Sequence, residues 1–244
     1  MEIPRFFVSL NSKIEDKINI QKEENMHLFS VLRLRVGDRI DVCLNDDNIY
    51  HCELVEVSKK QSVAKIINIE KAPPKNASIV LFMALIKAER MDWAMQKCTE
   101  LGVDKIIPFE SAFCTVKDKG NKIDRLNRIA VSASKQSGRV NLPQISRTLN
   151  FDEMLQELHN YSQIILAYEK DNTNAKNVLS QLDKNKNIAI IIGSEGGFSE
   201  SEVEKIKSTG ALLISLGENI LRAETACVAL LSAISYELDK WKRD

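Results

Sequence analysis

The chain has 244 residues, 44% of them hydrophobic, with 34 basic and 34 acidic side chains and no formal net charge. This length allows one large domain or two smaller ones, each with an ordinary packed core. The charge balance excludes a global pull toward nucleic acid or anionic membrane, so any such contact must come from a local patch.

Residues 1 to about 72 read as short strands. Met1-Glu-Ile-Pro-Arg5 has neither a basic nor an apolar leader region, so no secretory signal is expected. Arg5 to Leu10 alternates weakly, and Glu24 to Leu34 fits a short helix. Val36 to Leu44 alternates clearly, with Ile40, Val42 and Leu44 on one face. Asn45-Asp-Asp-Asn48 is a turn cluster. Ile49 to Val57 and Val63 to Ile69 complete a pattern that suggests a small β-barrel. Lys71-Ala-Pro-Pro-Lys-Asn76 stops helix and ladder alike and marks a domain boundary, giving domains 1–72 and 73–244.

Beyond the boundary, strand and helix alternate. Ile79 to Ile86 is an eight-residue apolar run, far short of a membrane span. Glu89 to Leu101 places Met91, Ala94, Met95, Cys98 and Leu101 on one helix face, closed by Gly102. Ile106 to Phe109 reads as a short strand whose proline favours an edge or an end. Helices follow at 122–137 and 151–158, a strand at 164–168, a helix at 175–182 and a strand at 188–192. A helix at 199–208, a strand at 212–216 and a closing helix from about Thr225 to Trp241 end the chain. The expected class is α/β, a mostly parallel sheet with helices on both faces. The cysteines at 43, 52, 98, 114 and 227 show no C-x-x-C spacing and read as reduced cytosolic thiols. The histidines at 27, 51 and 159 show no metal-ligand spacing, so no metal is expected.

Two apolar strands near the tail each run into a glycine-bearing loop. Ile188-Ala-Ile-Ile-Ile192 precedes Gly193-Ser-Glu-Gly-Gly-Phe198, and Leu212 to Leu216 precedes Gly217-Glu-Asn-Ile-Leu-Arg-Ala-Glu-Thr225. Gly193, Gly196 and Gly197 suit close backbone approach to a ligand. Ser199 with Glu202 forms a capping box, with Phe198 and Val203 as its staple. No Lys-Ser/Thr pair follows, no G-x-G-x-x-G is present, and Glu200, Glu202 and Glu204 would repel a pyrophosphate. The expected ligand is therefore not a polyphosphate and is held mainly by backbone groups. Glu195 is a loop acid or a site residue. Ile220 and Leu221 suit an apolar wall for a purine or anchors for the last helix. Arg222 precedes Thr225, a fitting N-cap, and suits an RNA phosphate, the carbonyl oxygens of a pyrimidine base, or an ion pair with Glu224 or Glu218. Arg33, Arg35 and Arg39 form a local basic patch, with Arg33 and Arg35 on one strand face. Residues 1–72 nonetheless carry eleven basic against twelve acidic side chains.

These motifs carry a resemblance. The two tail loops, Arg5-Phe-Phe7, His27-Leu-x-x-Val-Leu-Arg33, Lys87-x-x-Arg-Met-Asp92, Lys97-x-Thr-Glu-Leu-Gly-Val103 and Gln136-Ser-Gly-Arg139 resemble the RsmE family. That family comprises the 16S ribosomal RNA uridine N3-methyltransferases of the SPOUT superfamily. The resemblance implies a PUA-like N-terminal β-barrel and a C-terminal domain with a deep trefoil knot. It also implies a homodimer in the cytoplasm acting on ribosomal RNA or the small subunit, with S-adenosylmethionine as methyl donor. The cofactor would lie on Leu166, Ala167, Ile192, Gly193, Glu195, Gly196, Gly197, Leu216, Gly217, Ile220, Leu221, Arg222 and Thr225. Arg222 and Glu195 would serve catalysis. Arg33, Arg35, Arg39, Lys87, Arg90, Gln136 and Arg139 would face RNA. The sequence departs from the family pattern at Lys135, where an acid is expected, and at Glu218-Asn219.

Overall fold

The computed structural model describes residues 3–74, 77–118, 120 and 122–241. It divides into two units, Met1–Pro74 with Ser134–Leu142, and Lys75–Ala133 with Pro143–Asp244.

The first unit contains β1 (Arg5–Phe7), β2 (Lys13–Ile14), β3 (Lys17–Gln21), α1 (Lys22–Met26), β4 (Arg39–Cys43), β5 (Asn48–Val57) and β6 (Gln61–Lys71). The strands form one curled sheet in the order β1-β4-β5-β6-β3-β2. All neighbours are antiparallel except β1 and β4. Ile40, Val42 and Leu44 point into one cluster with Phe6, Ile18, Ile20, Leu28 and Leu54, as their alternation predicts. The turn into β5 works because Asn45 and Asp47 adopt left-handed φ values of 58° and 61°, which short polar side chains tolerate.

Two local expectations change here. The helix over Glu24–Leu34 is one α-turn, which then widens into a π-turn at His27–Val31. Arg33, at φ 54°, ends it. Residues 31–38 consequently form no strand, and Arg33 and Arg35 share no strand face.

Residues 134–142 pack with the first unit, although the boundary at 72/73 had placed them in the second domain. The reason is polar. The Arg5 guanidinium donates to the carbonyls of Gly138 and Arg139. Lys135 Nζ meets Glu24 Oε1 at 2.8 Å, and Leu142 N donates to Asn45 Oδ1 at 2.9 Å.

The second unit contains β7 (Ile79–Ala84), α2 (Ala88–Glu100), β8 (Lys105–Phe109), α3 (Lys122–Gln136, whose last turn belongs to the first unit), β9 (Gln144–Ile145) and α4 (Phe151–Leu158). It continues with β10 (Gln163–Ala167), α5 (Ala175–Leu179), β11 (Ile188–Ile192), α6 (Glu200–Ser208), β12 (Leu212–Ile214) and α7 (Ala223–Glu237). Its sheet runs β12-β10-β11-β7-β8-β9, and every pairing is parallel. Every residue of β7 and β11 is buried, which is why both strands read as unbroken apolar runs. One face packs Ile79, Leu81, Ile188 and Ile190 against the apolar sides of α2 and α7. The other packs Val80, Phe82, Ala189 and Ile191 against Met154 and Leu158 of α4 and Val203 and Ile206 of α6. Each such side chain contributes about 1.5–3 kcal/mol by leaving water.

Helix ends follow the sequence signals. Gly102 at φ +90° closes α2, with Val103 N donating to Cys98 O at 3.0 Å and Gly102 N to Thr99 O at 3.1 Å. Cys98 and Cys227 meet where α2 packs on α7, their sulfurs 3.6 Å apart, and their hydrogen bond, together with burial, pushes the Cys98 thiol well up. No helix among the described residues is long and apolar enough to cross a membrane.

Candidate cofactor and active site

Parallel neighbours end at the same side of a sheet, so the loops leaving β10, β11 and β12 emerge together at its carboxyl end. Ligands of open α/β sheets bind at such an edge. The loops are stitched to one another. Tyr168 N donates to Ile214 O at 3.0 Å, and Ser215 N to Thr173 O at 3.1 Å. Gly197 N closes a turn on Ser194 O at 2.9 Å. Leu166 and Ile192 are buried strand residues that carry these loops, and Ala167 is half-buried between them.

The glycines serve different ends than close approach to a ligand alone. Only Gly197 in the first tail loop has a positive φ, +68°. A Cβ on Gly193 would lie 2.9 Å from the Phe198 ring, and one on Gly196 would lie 2.8 Å from Phe113 Cβ. Two of the three glycines therefore make room for aromatic side chains. Gly217, at φ +119° with open space around it, is the glycine that backbone conformation requires in the second tail loop.

The capping box of α6 forms as expected. Ser199 and Glu202 exchange both bonds, and Phe198 and Val203 share one buried cluster. Glu202 also reaches outward, its Oε1 accepting from Ala112 N at 2.7 Å. This fixes the loop after β8 against the start of α6.

The loop after β12 presents backbone donors. Among the described residues, the N–H groups of Glu218, Asn219, Ile220 and Leu221 have no hydrogen-bond partner. Leu216 and Leu221 pack against the core, so Leu221 anchors the last helix, whereas Ile220 is 81% exposed and stands clear. Helix α7 begins earlier than expected. Its N-cap is Arg222, whose carbonyl accepts from Thr225 N and Ala226 N, so Thr225 is an exposed first-turn residue. The Arg222 side chain is exposed and pairs with neither Glu224 nor Glu218 among the described residues.

Glu224 belongs instead to a cluster around Arg90. Arg90 Nη1 lies 3.3 Å from Glu195 Oε1, and Arg90 Nε lies 3.6 Å from Glu224 Oε1. Lys87 N also donates to Glu195 Oε1, at 3.4 Å. Buried Glu224 Oε2 and Ser194 Oγ have no hydrogen-bond partner among the described residues. Arg90 thus joins the glycine loop to the first turn of α7, whereas the resemblance implied that it would face RNA.

The remaining basic residues fall in two places. Lys87 is exposed at the start of α2 in the second unit. Arg33, Arg35 and Arg39 are exposed in the first unit, near the exposed apolar side chains Val31, Leu32 and Val36 in sequence. Gln136 is exposed there too, while Arg139 is half-buried and donates through Nε to Asn141 O. Lys135 does not stand in for a missing acid. It neutralises Glu24 and lies over the Phe6 ring at 5.4 Å, and an acid there would face Glu24 across the same contact. Burial and Lys135 lower the pKa of the neighbouring His27, against an opposing pull from Glu24. No group of three or more His, Cys, Asp or Glu side chains arranged to hold a metal occurs among the described residues.

Sequence reasoning missed Phe113, Glu202's outward bond and the pairing of Glu224 with Arg90 rather than Arg222. Phe113 carried no spacing signal, because the strand before it, β8, is separated in the sheet from the glycine-loop strand β11 by β7.

A unit built on a parallel sheet with a donor-lined edge and a second unit built on a curled β sheet together suit an RNA-modifying transferase. Comparison agrees: residues 73–235 match the model of an RNA methyltransferase domain, and residues 20–67 that of an RNA methyltransferase PUA domain. A ribosomal RNA small subunit methyltransferase E from Bacillus subtilis is 33% identical, over 98% of this chain and 99% of that one. The crystal structure of the corresponding Neisseria gonorrhoeae enzyme, bound to S-adenosyl methionine, is 26% identical. It covers 96% of this chain and 98% of that one, with a TM-score of 0.85. A putative methyltransferase from Legionella pneumophila in complex with the same cofactor is 26% identical, over 97% of this chain and 98% of that one, with a TM-score of 0.87. The chain belongs to the ribosomal RNA small subunit methyltransferase E family.

Proposed function

We propose that this protein transfers the methyl group of S-adenosylmethionine to N3 of a uridine in 16S ribosomal RNA, acting in the cytoplasm as a homodimer with its three tail loops tied in a trefoil knot. The observation that carries the reading is the loop 216–222, with four N–H groups that have no partner among the described residues, followed by an exposed guanidinium that pairs with none of them. Unpartnered backbone donors, an open glycine and an apolar Ile220 suit a neutral heteroaromatic ring, and no cluster of cations there calls for a phosphate. The residues present therefore fit the cofactor, whose sulfonium supplies an electrophilic methyl group when bound.

The chain's own residues do the rest. Uridine N3 carries a proton and becomes nucleophilic only as that proton leaves to solvent, which spreads negative charge over O2 and O4. Arg222 stabilises that charge. The loops after β10, β11 and β12 hold the reacting atoms in line. Glu195 acts by anchoring the glycine loop to Arg90 and Lys87. N3 lies on the Watson–Crick edge, so the base enters unpaired or everted. Lys87, Gln136, Arg139 and the patch Arg33, Arg35 and Arg39 guide the RNA backbone.

Calorimetry with S-adenosylmethionine, followed by mass spectrometry of small-subunit RNA incubated with protein and cofactor, tests this. Saturable binding and a gain of one methyl group on a uridine N3 are expected. Absence of cofactor binding, or methylation confined to transfer RNA or to another base, would overturn it.

A further inference from the structure

Phe113 is held in an unusual place for a large apolar side chain. It is 48% exposed, yet its Cβ lies so close to Gly196 that any side chain at 196 would collide with it. The turn that carries it is fixed. Ala112 N donates to Glu202 Oε1 at 2.7 Å, Cys114 N to Ser111 O at 3.1 Å, and Asp118 N to Glu110 Oε1 at 2.9 Å. Cys114 packs against the buried cluster that contains Phe109 and Phe198, whose rings stack at 6.2 Å. A turn held by these bonds therefore leaves about half of an aromatic side chain exposed to solvent beside the glycine loop.

The side from which it arrives matters. The loop that presents free backbone donors and the exposed Arg222 leaves β12, two strands from β11. Phe113 comes from the loop after β8, on the other flank of β11 in the strand order β12-β10-β11-β7-β8. It borders the glycine loop from the side opposite the loop 216–222. Burying this ring in the core would be cheaper, and Gly196 with Glu202 instead hold it out.

Resting on the function proposed above, we propose that Phe113 is a stacking platform for a base of the substrate RNA, which it steadies against the glycine loop as the target uridine enters. An aromatic face accepts any base, and a phenyl ring adds no hydrogen-bond readout. It therefore contributes affinity and placement, and N3 selection stays with the Arg222 side of the site. The residues that would hold the cofactor's adenine are the backbone donors of the loop 216–222, on the other flank, so its binding would not use this ring.

The test compares Phe113→Leu, which keeps apolar bulk against Gly196 but has no π face, with Phe113→Tyr, which keeps the face. Affinity for a fluorescent single-stranded oligouridine is measured by anisotropy, affinity for S-adenosylmethionine by calorimetry, and methyl transfer to small-subunit RNA by mass spectrometry. Phe113→Leu is expected to weaken oligouridine binding and kcat/KM for RNA by roughly 10- to 100-fold, and Phe113→Tyr to stay within about twofold of wild type. Cofactor affinity stays unchanged in both. The proposal is overturned if Phe113→Leu binds oligouridine like wild type, if wild type binds none, or if cofactor affinity falls in step with RNA affinity. The last result would make the ring an adenine or packing contact and leave the methyltransferase reading standing. Loss of cofactor binding by wild type would strike that reading alone, because the anisotropy arm needs no cofactor.

Discussion

Arg90 stands between two carboxylates, with Glu195 Oε1 3.3 Å from Nη1 and Glu224 Oε1 3.6 Å from Nε. The first turn of α2, the glycine loop and the first turn of α7 meet on this one guanidinium. Glu224 is 9% exposed, so removing the cation strands a buried negative charge.

Arg90→Met is therefore expected to lose about 1–3 kcal/mol in urea denaturation, with Arg90→Lys between it and wild type. The Arg90 side chain is 34% exposed, which keeps the loss below that of a fully buried pair. A variant as stable as wild type would show that the cluster contributes placement only.

Arg222 makes no ion pair among the described residues and lies at the N-cap of α7 with its side chain outward. Arg222→Ala should leave folding and cofactor affinity nearly unchanged while methyl transfer falls roughly 100- to 1,000-fold, as when a donor to developing charge is removed. Calorimetry and single-turnover methylation separate the two effects, and unaltered turnover would remove Arg222 from the mechanism.

The glycines of the site should respond to alanine for different reasons. Gly193→Ala and Gly196→Ala drive a methyl group into Phe198 and Phe113 and should cost about 1–3 kcal/mol by overpacking. Gly217→Ala meets no neighbour but must adopt φ near +119°, which costs about 1–2 kcal/mol through the backbone alone. Thermal melts of the three variants check this. Phe198→Ala should relieve Gly193→Ala, because ring atoms are what its Cβ meets, whereas Phe113→Ala should leave Gly196→Ala strained, because the clash is with the Phe113 Cβ that alanine keeps.

His51 gives the first unit a pH dependence. Burial lowers its pKa, but bonds to Asp41 at 2.8 Å and Glu70 at 3.1 Å outweigh burial and raise it above 6.5. A raised folded pKa means the folded state holds the proton more tightly, so this stabilisation is complete below pH 6.5 and fades as pH rises through the raised value. The stability difference between wild type and His51→Gln should therefore be largest near pH 6 and shrink toward pH 8. His27, whose lowered pKa acts in the opposite sense, is common to both proteins and cancels. A difference that grows with pH would contradict the geometry around Asp41.

Much of this was legible in the sequence, for a physical reason. Strands buried on both faces, such as Ile188–Ile192, must be apolar throughout, and the capping box at Ser199 and Glu202 is local, so both can be read from spacing. Lys17-Ile-Asn-Ile-Gln21 also alternates, with Ile18 and Ile20 fully buried, but its charged flanks masked a five-residue strand. The purpose of Gly196 was not legible at all, because the side chain that excludes a Cβ there comes from 83 positions upstream, at Phe113. The same holds for Arg90, whose two carboxylate partners lie more than a hundred residues away. Spacing reports what a residue does to its own helix or strand. It is silent on partners brought in by the sheet.

Helix α3 starts in one unit and ends in the other, and its final turn brings Lys135 to Glu24 and the following residues to Arg5. The amino-terminal module is consequently not a cassette that recombination could lift out at the proline pair and graft elsewhere. A gene cut there would surrender the peptide that caps Phe6, so shuffling of these two modules has to carry the whole reading frame or invent a substitute lid.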